Sequence, residues 1–338
     1  MTYFDLIWNK EYPKKALLFK LIEFYTGKTK DQIHLQYNDE MWADVESKVI
    51  DGYRRYVDGG EPLEYITDDV GFLGNHFHID GRALIPRPET EYMITSVVEW
   101  AENQGIVIAR SEDTSDVANQ CIENQWDNAP EESALGVDCF VPRNDEENKN
   151  NILIDVGTWC GVLGLSCMLL APQAWHHAYL TDYQPQIIDL TRSNLDRHRP
   201  TIIDRGSAST IQLITASMMD WVEPDHVSLR NSHNQIVIVA NLPYIPETTF
   251  DENVDESAKK WEPRAAFVWW DDWLDWYRVM FGQLFDLQSW GLTTGVTMFL
   301  EMMTRQMEIL EREFWDRIQF SVTKTFHFNI IIVQGIIS

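Results

Sequence analysis

The chain has 338 residues, with 27 Lys and Arg against 53 Asp and Glu, a formal net charge of −26, and 44% hydrophobic residues. That apolar content supports a folded core and excludes a wholly disordered chain, while the negative charge opposes general attraction to nucleic-acid phosphates. The four cysteines form no CxxC pair or zinc-type cluster, and no apolar run is long enough to cross a membrane, so we expect a cytoplasmic protein without metal or membrane anchor.

Apolar residues at helical spacing indicate a small helical domain over residues 1–57. Its two apolar faces are formed by Leu17, Leu18, Leu21, Ile22 and Tyr25, and by Trp42, Val45, Val49 and Tyr53. A turn cluster of Asp, Gly and Pro follows at 58–62. Residues 65–85 then partly alternate in polarity between glycines, which is typical of a short β-hairpin. We therefore predict a hairpin linker over residues 58–84.

Residues 101–150 break this pattern. They contain 12 acidic and 3 basic residues together with many Asn, Ser and Gln, and neither a helical nor a strand period persists. We interpret this segment as an acidic insertion, which is either a mobile solvated stretch or an electrostatic arm for a basic partner.

From residue 151 onward, strand and helix signals alternate. The predicted strands are 151–156, 178–181, 210–214, 235–240, 298–301 and 326–333, and the predicted helices include 161–170 and 187–196. Strands separated by helices form βαβ units, so we expect an α/β domain with a mostly parallel sheet covered on both faces.

Two motifs at strand ends indicate a nucleoside-containing cofactor. Residues 155–161 (DVGTWCG) stand between a predicted strand and helix, where glycines let backbone N–H groups approach a ligand, although a tight turn alone has the same pattern. Asp182 ends the next strand, where a carboxylate can accept both hydroxyls of a ribose or cap a helix. These two motifs leave NAD and S-adenosylmethionine as alternatives.

A third motif, Asn-Leu-Pro-Tyr at residues 241–244, favours S-adenosylmethionine. The Asn241 side-chain oxygen and the Leu242 carbonyl can accept the two N–H groups of an amide or amine, because the following proline keeps the backbone extended. The Tyr244 ring offers a face to a planar group and to a sulfonium cation. Methyl transfer requires an aligned nitrogen lone pair, a nearby methyl group and exclusion of water. The alternative is a strand end closed by an ordinary turn.

The chain resembles the peptide chain release factor glutamine N5-methyltransferases of the HemK/PrmC family. The resemblance rests on residues 241–244, 85–91 (IPRPETE), 61–66 (EPLEYI) and 262–264 (EPR). It implies a Rossmann-like S-adenosylmethionine-dependent methyltransferase domain at 85–338, preceded by a partner-binding helical domain and a β-hairpin linker. It also implies a monomer, without direct nucleic-acid binding, that methylates the glutamine side-chain amide in the Gly-Gly-Gln motif of class-1 peptide chain release factors.

The resemblance also implies the site residues. Those expected to contact S-adenosylmethionine are Gly157, Thr158, Trp159, Cys160, Gly161, Asp182, Asp220, Trp221 and Asn241. Those expected to hold the glutamine for catalysis are Asn241, Leu242, Pro243 and Tyr244. No side-chain general base is evident, and none is needed if the proton leaves after methylation.

The chain departs from the family at several positions. Leu242 replaces a usual proline, and Asn-Leu-Pro-Tyr also occurs in ribosomal RNA adenine dimethyltransferases, so a ribosomal RNA adenine N6-methyltransferase is the alternative enzyme. Five tryptophans stand where the family has glycine, namely Trp159, Trp269, Trp270, Trp273 and Trp290, and the chain has only 17 glycines. We hypothesise that UGA codons for glycine were translated here as tryptophan. If these residues are native, an inactive methyltransferase-fold interaction protein is a further alternative.

Overall fold

The computed structural model describes residues 1–104, 151–207, 210–223, 235–269, 273–291 and 295–337. Most of the predicted acidic insertion, residues 105–150, therefore lies outside the described residues, as does Trp270. Residues 101–103 end a helix and do not belong to an insertion.

The N-terminal residues form a bundle of short helices. They are α1 (Tyr3–Ile7), α2 (Lys15–Thr26), α3 (Lys30–Leu35), α4 (Ala43–Val57) and α5 (Leu63–Thr67). Leu18, Leu21 and Val49 are fully buried where α2 packs on α4. Gly27 ends α2 with a left-handed φ of 66°. The prediction for Trp42 is wrong, because this residue precedes the first turn of α4 and its side chain is 78% exposed.

A β-hairpin connects this bundle to the rest of the chain. Its strands β1 (Val70–Phe72) and β2 (Asn75–Phe77) pair antiparallel. The hairpin is shorter than predicted, since residues 65–67 belong to α5. The Tyr65 hydroxyl donates to the Ala83 carbonyl at 2.6 Å, which ties α5 to the segment that follows the hairpin.

Seven strands form one central sheet. Within the described residues, the other strands are β3 (Ile152–Val156), β4 (His177–Asp182), β5 (Thr210–Thr215), β6 (Ile236–Ala240), β7 (Ile245–Pro246), β8 (Val268–Trp269), β9 (Val296–Met303), β10 (Ile318–Thr325) and β11 (Ile330–Ile337). The order in the central sheet is β10-β11-β9-β6-β3-β4-β5, and β7 pairs with β8 in a small separate sheet. Strands β5, β4, β3, β6 and β9 are parallel, whereas β11 runs antiparallel between β9 and β10.

Helices cover both faces of this sheet. They are α6 (Pro88–Asn103), α7 (Val162–Leu170), α8 (Pro185–Asp204), α11 (Asp275–Ser289) and α12 (Thr304–Glu313). Two shorter helices, α9 (Phe250–Asn253) and α10 (Glu256–Trp261), contribute instead to a separate small cluster with β8. Leu153 faces the core formed with α6, α7 and α8, while its neighbours Ile152 and Ile154 face the core formed with α11 and α12. Burial on both faces explains why four of the five residues of this strand are apolar. In the part of the chain that the structure describes, no helix combines the length and apolarity needed to cross a bilayer.

The strand order reverses at β3. The chain proceeds from β3 through β4 to β5 on one side, and continues through β6 to β9 on the other. This is a Rossmann-like fold with an antiparallel strand added near one edge, so the predicted α/β methyltransferase fold class is confirmed. In such a sheet, ligands bind where the order reverses, beside the carboxyl ends of the strands.

Three element predictions need correction. Strand β10 was not predicted, because its exposed polar residues give no apolar run. Residues 326–329 do not form strand but precede β11 as an extended residue and a short 3₁₀ turn. Helix α8 continues past the predicted end at residue 196 to Asp204, with Pro200 inside it.

Candidate active site

The loop after β3 is held by its own aspartate. The Asp155 carboxylate accepts a hydrogen bond from the Thr158 hydroxyl at 2.6 Å and another from the Gly164 backbone N–H at 2.8 Å. The Thr158 backbone N–H donates to the Thr181 carbonyl at 2.9 Å, which links the loop to β4. Complete burial raises the pKa of Asp155 to about 7. Asp155 therefore stabilises the conformation of the loop through these hydrogen bonds.

Left-handed backbone angles recur along this loop. Gly157 has φ 69°, Trp159 has φ 52° and Gly161 has φ 85°. Such angles are favourable for glycine and costly for a side chain, so the backbone at position 159 is the kind that glycine adopts. Trp290 differs, because its φ of −79° places no such demand on the residue. The backbone therefore fits the glycine hypothesis at position 159 and does not require it at 290.

Asp182 lies at the carboxyl end of β4 and is almost fully buried. Its carboxylate accepts from the Gln184 backbone N–H at 3.0 Å. The residue at the cap position of α8 is Gln184, so the alternative of Asp182 as a helix cap does not apply. Burial raises the pKa of Asp182 to about 6. An acceptor at this place suits the hydroxyls of a ribose.

These strand ends surround a cavity of about 430 Å³. Its lining residues are Gly157, Trp159, Asp182, Tyr183, Ala216, Ser217, Met218, Leu242, Pro243, Ala265 and Trp276. Part of this space is open to solvent, so the residues that line it, rather than its volume, define the candidate site. The cavity thus brings three residues predicted for the cofactor together with two predicted for the substrate.

The other six residues predicted for the cofactor do not line this cavity. Trp221 packs on Tyr179 in the core, with ring centroids 4.6 Å apart. The Asp220 carboxylate accepts from the Ser217 backbone N–H at 3.0 Å, so it shapes a turn that does line the cavity. Thr158, Cys160 and Gly161 are buried residues of the loop itself, and Asn241 and Tyr244 lie beside the cavity rather than in its wall.

Sequence analysis missed several cavity residues. Tyr183 and Trp276 flank one side, with ring centroids 6.2 Å apart. Tyr183 follows Asp182 directly and could have been found from that position, whereas Trp276 belongs to α11 and carries no local signal. At the opposite wall, a Cβ on Gly157 would lie 3.2 Å from the Leu242 side chain, so the loop and residues 241–244 are in close contact. These walls, together with Asp182, fit an adenosine-containing cofactor.

Residues 241–244 continue from the end of β6 into a polar network. The Asn241 side-chain N–H donates to the Thr90 hydroxyl oxygen at 3.3 Å, and the Tyr244 hydroxyl donates to Glu301 Oε1 at 3.0 Å. The Thr90 hydroxyl donates to Glu301 Oε2 at 2.8 Å. Sequence analysis missed Glu301, whose only local signal is an acidic residue inside the apolar run TMFLEMM.

Glu301 is a buried carboxyl group at the end of β9. Burial raises its pKa, while hydrogen bonds from Thr90, Tyr244 and Asn241 act in the opposite direction. Burial also raises the pKa of Tyr244 well above its ordinary value, and the nearby Glu301 adds to this effect. The Tyr244 hydroxyl therefore stays protonated and serves as a hydrogen-bond donor.

Two other motif segments also meet in the structure. Glu262 accepts from the Ile85 backbone N–H at 3.0 Å and forms an ion pair with Arg87 at 2.6 Å. Residues 85–91 lead into α6, which carries Thr90, so this contact positions the network around Glu301. Across the described ranges, no group of three or more His, Cys, Asp or Glu residues could hold a metal ion.

Comparisons with known proteins agree with these motifs. A release factor glutamine methyltransferase of Chlorobaculum tepidum is 26% identical over 209 residues, which are 62% of this chain and 53% of that protein. The one of Deinococcus radiodurans is 24% identical over 293 residues, or 87% of this chain and 80% of that protein. The chain resembles the release factor glutamine methyltransferases. The family resemblance inferred from the motifs is thereby confirmed, and the alternative of a ribosomal RNA adenine N6-methyltransferase is not favoured.

Two other comparisons complete this description. No protein-family model matches the chain. Among solved structures, a human methyltransferase 10 domain containing protein superimposes with a TM-score of 0.45 and 11% identity, over 78% of this chain and 88% of that one. The chain covers little more than half of the first relative, that of Chlorobaculum tepidum.

Proposed function

We propose that this protein transfers a methyl group from S-adenosylmethionine to the glutamine side-chain amide in the Gly-Gly-Gln motif of class-1 peptide chain release factors. One observation carries the proposal: Leu242 and Pro243 line the same cavity as Gly157 and Asp182. A substrate held by residues 241–244 would therefore lie next to a cofactor held by the strand ends. The names of the relatives support the choice of substrate.

The cavity residues have separate roles in holding the cofactor. Asp182 accepts the ribose hydroxyls, and Gly157 lets the ligand approach the backbone closely. Tyr183 and Trp276 provide aromatic surface for the base. When bound, S-adenosylmethionine supplies a methyl group on a positively charged sulfur. The cavity is mostly apolar, which keeps water away from that methyl group.

Residues 241–244 activate and align the amide. An amide nitrogen is a weak nucleophile because its lone pair is delocalised into the carbonyl. The Asn241 side-chain oxygen and the Leu242 carbonyl accept its two N–H groups, which fixes the nitrogen in line with the methyl carbon. Bound S-adenosylmethionine would supply its methyl group to this nitrogen and remain as S-adenosylhomocysteine, and the amide would release one proton to solvent.

The partner in this proposal is a protein. The helices of residues 1–57 bind the release factor, and the net charge of −26 favours a substrate with a basic surface. The enzyme acts as a monomer in the cytoplasm and does not bind nucleic acid directly.

A methyl-transfer assay tests the proposal. The chain as written and its Trp159→Gly variant are incubated with S-adenosylmethionine and either a class-1 release factor or ribosomal RNA. We expect one methyl group on the Gly-Gly-Gln glutamine, and none after Asn241→Ala. Gln319→Ala, which changes an exposed amide side chain on β10, serves as the control and should leave the activity in place. Methylation of the RNA alone, or full activity in Asn241→Ala, contradicts the proposal.

A further inference from the structure

Glu301 carries a carboxyl group at a position where burial costs free energy. It stands in β9 between fully buried neighbours, with 1% of its surface exposed. Burial of such a group is unfavourable unless hydrogen bonds compensate for lost water. Here both oxygens have partners, Tyr244 on Oε1 and Thr90 on Oε2, and the Tyr277 hydroxyl donates to the Glu301 backbone carbonyl at 2.8 Å. Four elements of the fold therefore meet at this residue.

The direction of these hydrogen bonds determines how the Asn241 amide is turned. The Thr90 hydroxyl has one hydrogen, and that hydrogen points to Glu301 Oε2. The Thr90 oxygen can therefore only accept from Asn241, which must present its N–H group. In the opposite orientation, the Asn241 oxygen would face the Thr90 oxygen, which has no further hydrogen to donate, and the Glu301 carboxylate. The Asn241 oxygen is left to face away from Glu301.

We propose that Glu301 is a positioning residue that, together with Thr90, fixes the side-chain amide of Asn241 with its oxygen directed to the substrate amide. The inference rests on the proposed function, since that oxygen is the acceptor on which amide methylation depends. Glu301 also holds the Tyr244 hydroxyl, so two of the four residues at 241–244 share one buried anchor. A fully satisfied buried network of this kind is rigid.

Hydrogen-bond donors around Glu301 offset part of the cost of burying its charge. Thr90 lies in the first turn of α6, and the N-terminus of a helix favours an anion. Glu89 in the same turn opposes that charge, the Tyr244 hydroxyl donates to the carboxylate, and the Tyr277 hydroxyl donates to the Glu301 backbone carbonyl. With glutamine at 301, the side chain could donate to Thr90, and the Thr90 hydroxyl could then donate to the Asn241 oxygen. The amide would lose its single orientation.

The first experiment needs no substrate. The side-chain NH₂ signal of Asn241 is identified in ¹⁵N-labelled protein by its loss in Asn241→Ala, and its hydrogen exchange is measured. We expect Glu301→Gln to accelerate this exchange by about tenfold, because the amide donor loses its fixed partners. Glu308→Gln makes the same chemical change at an exposed position of α12 and should leave the exchange as it is. Unchanged exchange in folded Glu301→Gln overturns the inference.

Variants at Thr90 guard against a Glu301 variant that fails to fold. Thr90→Val keeps the side-chain shape but removes the hydroxyl, so it should accelerate the Asn241 exchange as Glu301→Gln does. Thr90→Ser restores the hydroxyl and should restore most of the protection. Equal exchange in the valine and serine variants contradicts a path through this hydroxyl.

The second experiment uses the release factor assay. Glu301→Gln should lower kcat by about 100-fold while KM and the Kd for S-adenosylhomocysteine change by less than about threefold, since only alignment is lost. A parallel loss of cofactor affinity and melting temperature instead shows a merely structural role and overturns the inference. If the unaltered protein does not methylate the release factor while the exchange result holds, the proposed function fails and the orienting contact stands.

Discussion

Arg87 and Glu262 form an ion pair of 2.6 Å although 175 residues separate them in the chain. The Glu262 side chain is almost fully buried and also accepts the Ile85 backbone N–H. This contact joins the segment before α6 to the segment after α10. Two of the motifs that carry the family resemblance thus support the site from outside, since neither lines the cavity.

Removal of Arg87 should destabilise the protein. Arg87→Ala removes the charged partner of the buried Glu262 carboxylate and leaves it the Ile85 N–H. We therefore expect the free energy of unfolding to fall by about 2 kcal/mol. The loss is smaller than for a fully buried ion pair because the Arg87 side chain is partly exposed. Urea denaturation measures this change. Arg199 pairs with Asp196 at the surface, and Arg199→Ala should cost less than about 0.5 kcal/mol. Equal losses in the two variants contradict the prediction.

The fold was predictable where the sequence carries local signals. Strands β3, β4 and β6 are largely apolar and end at or just before Gly, Asp and Asn residues, so both the strands and the candidate site at their ends could be predicted from the sequence. Glu301 could not, because its partners Thr90 and Tyr244 lie 211 and 57 residues away along the chain. The family resemblance predicts that Trp221 contacts the cofactor, whereas in the structure its ring packs against Tyr179.

Replacement of Trp159 by glycine should improve cofactor binding. The variant removes an indole from the cavity wall and places glycine at a left-handed φ of 52°, an angle that costs about 1–2 kcal/mol for residues with a Cβ. We expect Trp159→Gly to bind S-adenosylhomocysteine about tenfold more tightly by calorimetry, since both the space and the backbone angle become favourable.

Two further variants separate the effect of the indole from the effect of the backbone angle. Trp159→Ala removes the indole but keeps a Cβ, so its affinity should lie between those of the unaltered protein and the glycine variant. Trp290→Gly changes a partly exposed tryptophan with φ −79° at the end of α11, and should leave the affinity unchanged. Weaker binding in Trp159→Gly would show that the indole is a ligand of the cofactor and would count against the glycine hypothesis.

Cofactor affinity should depend on the ionisation of Asp182. Burial raises the pKa of Asp182 to about 6, and its ionised form is the better acceptor for ribose hydroxyls. As pH falls through 6 the carboxyl group gains a proton before binding, so affinity for S-adenosylhomocysteine should be about tenfold weaker at pH 5 than at pH 8. Calorimetry across this range measures the effect.

The same raised pKa has the opposite consequence for the unliganded protein. Its folded state holds the proton more tightly than the unfolded chain, so the stability contributed by protonated Asp182 is lost as pH rises through about 6. Asp182→Asn should remove this contribution, bind the cofactor weakly at every pH and show no pH dependence from this group. A full pH dependence that persists in Asp182→Asn assigns the titration to another residue.

The sheet that carries the site is built from pairings between distant parts of the chain. Ile152 of β3 pairs with Ile236 of β6, and Ile236 pairs in turn with Val296 of β9. Contacts between residues so far apart form slowly, because the intervening chain must first be closed into loops. The pocket between these strand ends is therefore expected among the last parts of the molecule to mature during folding, so that a newly made chain gains its ligand only once the whole sheet has assembled.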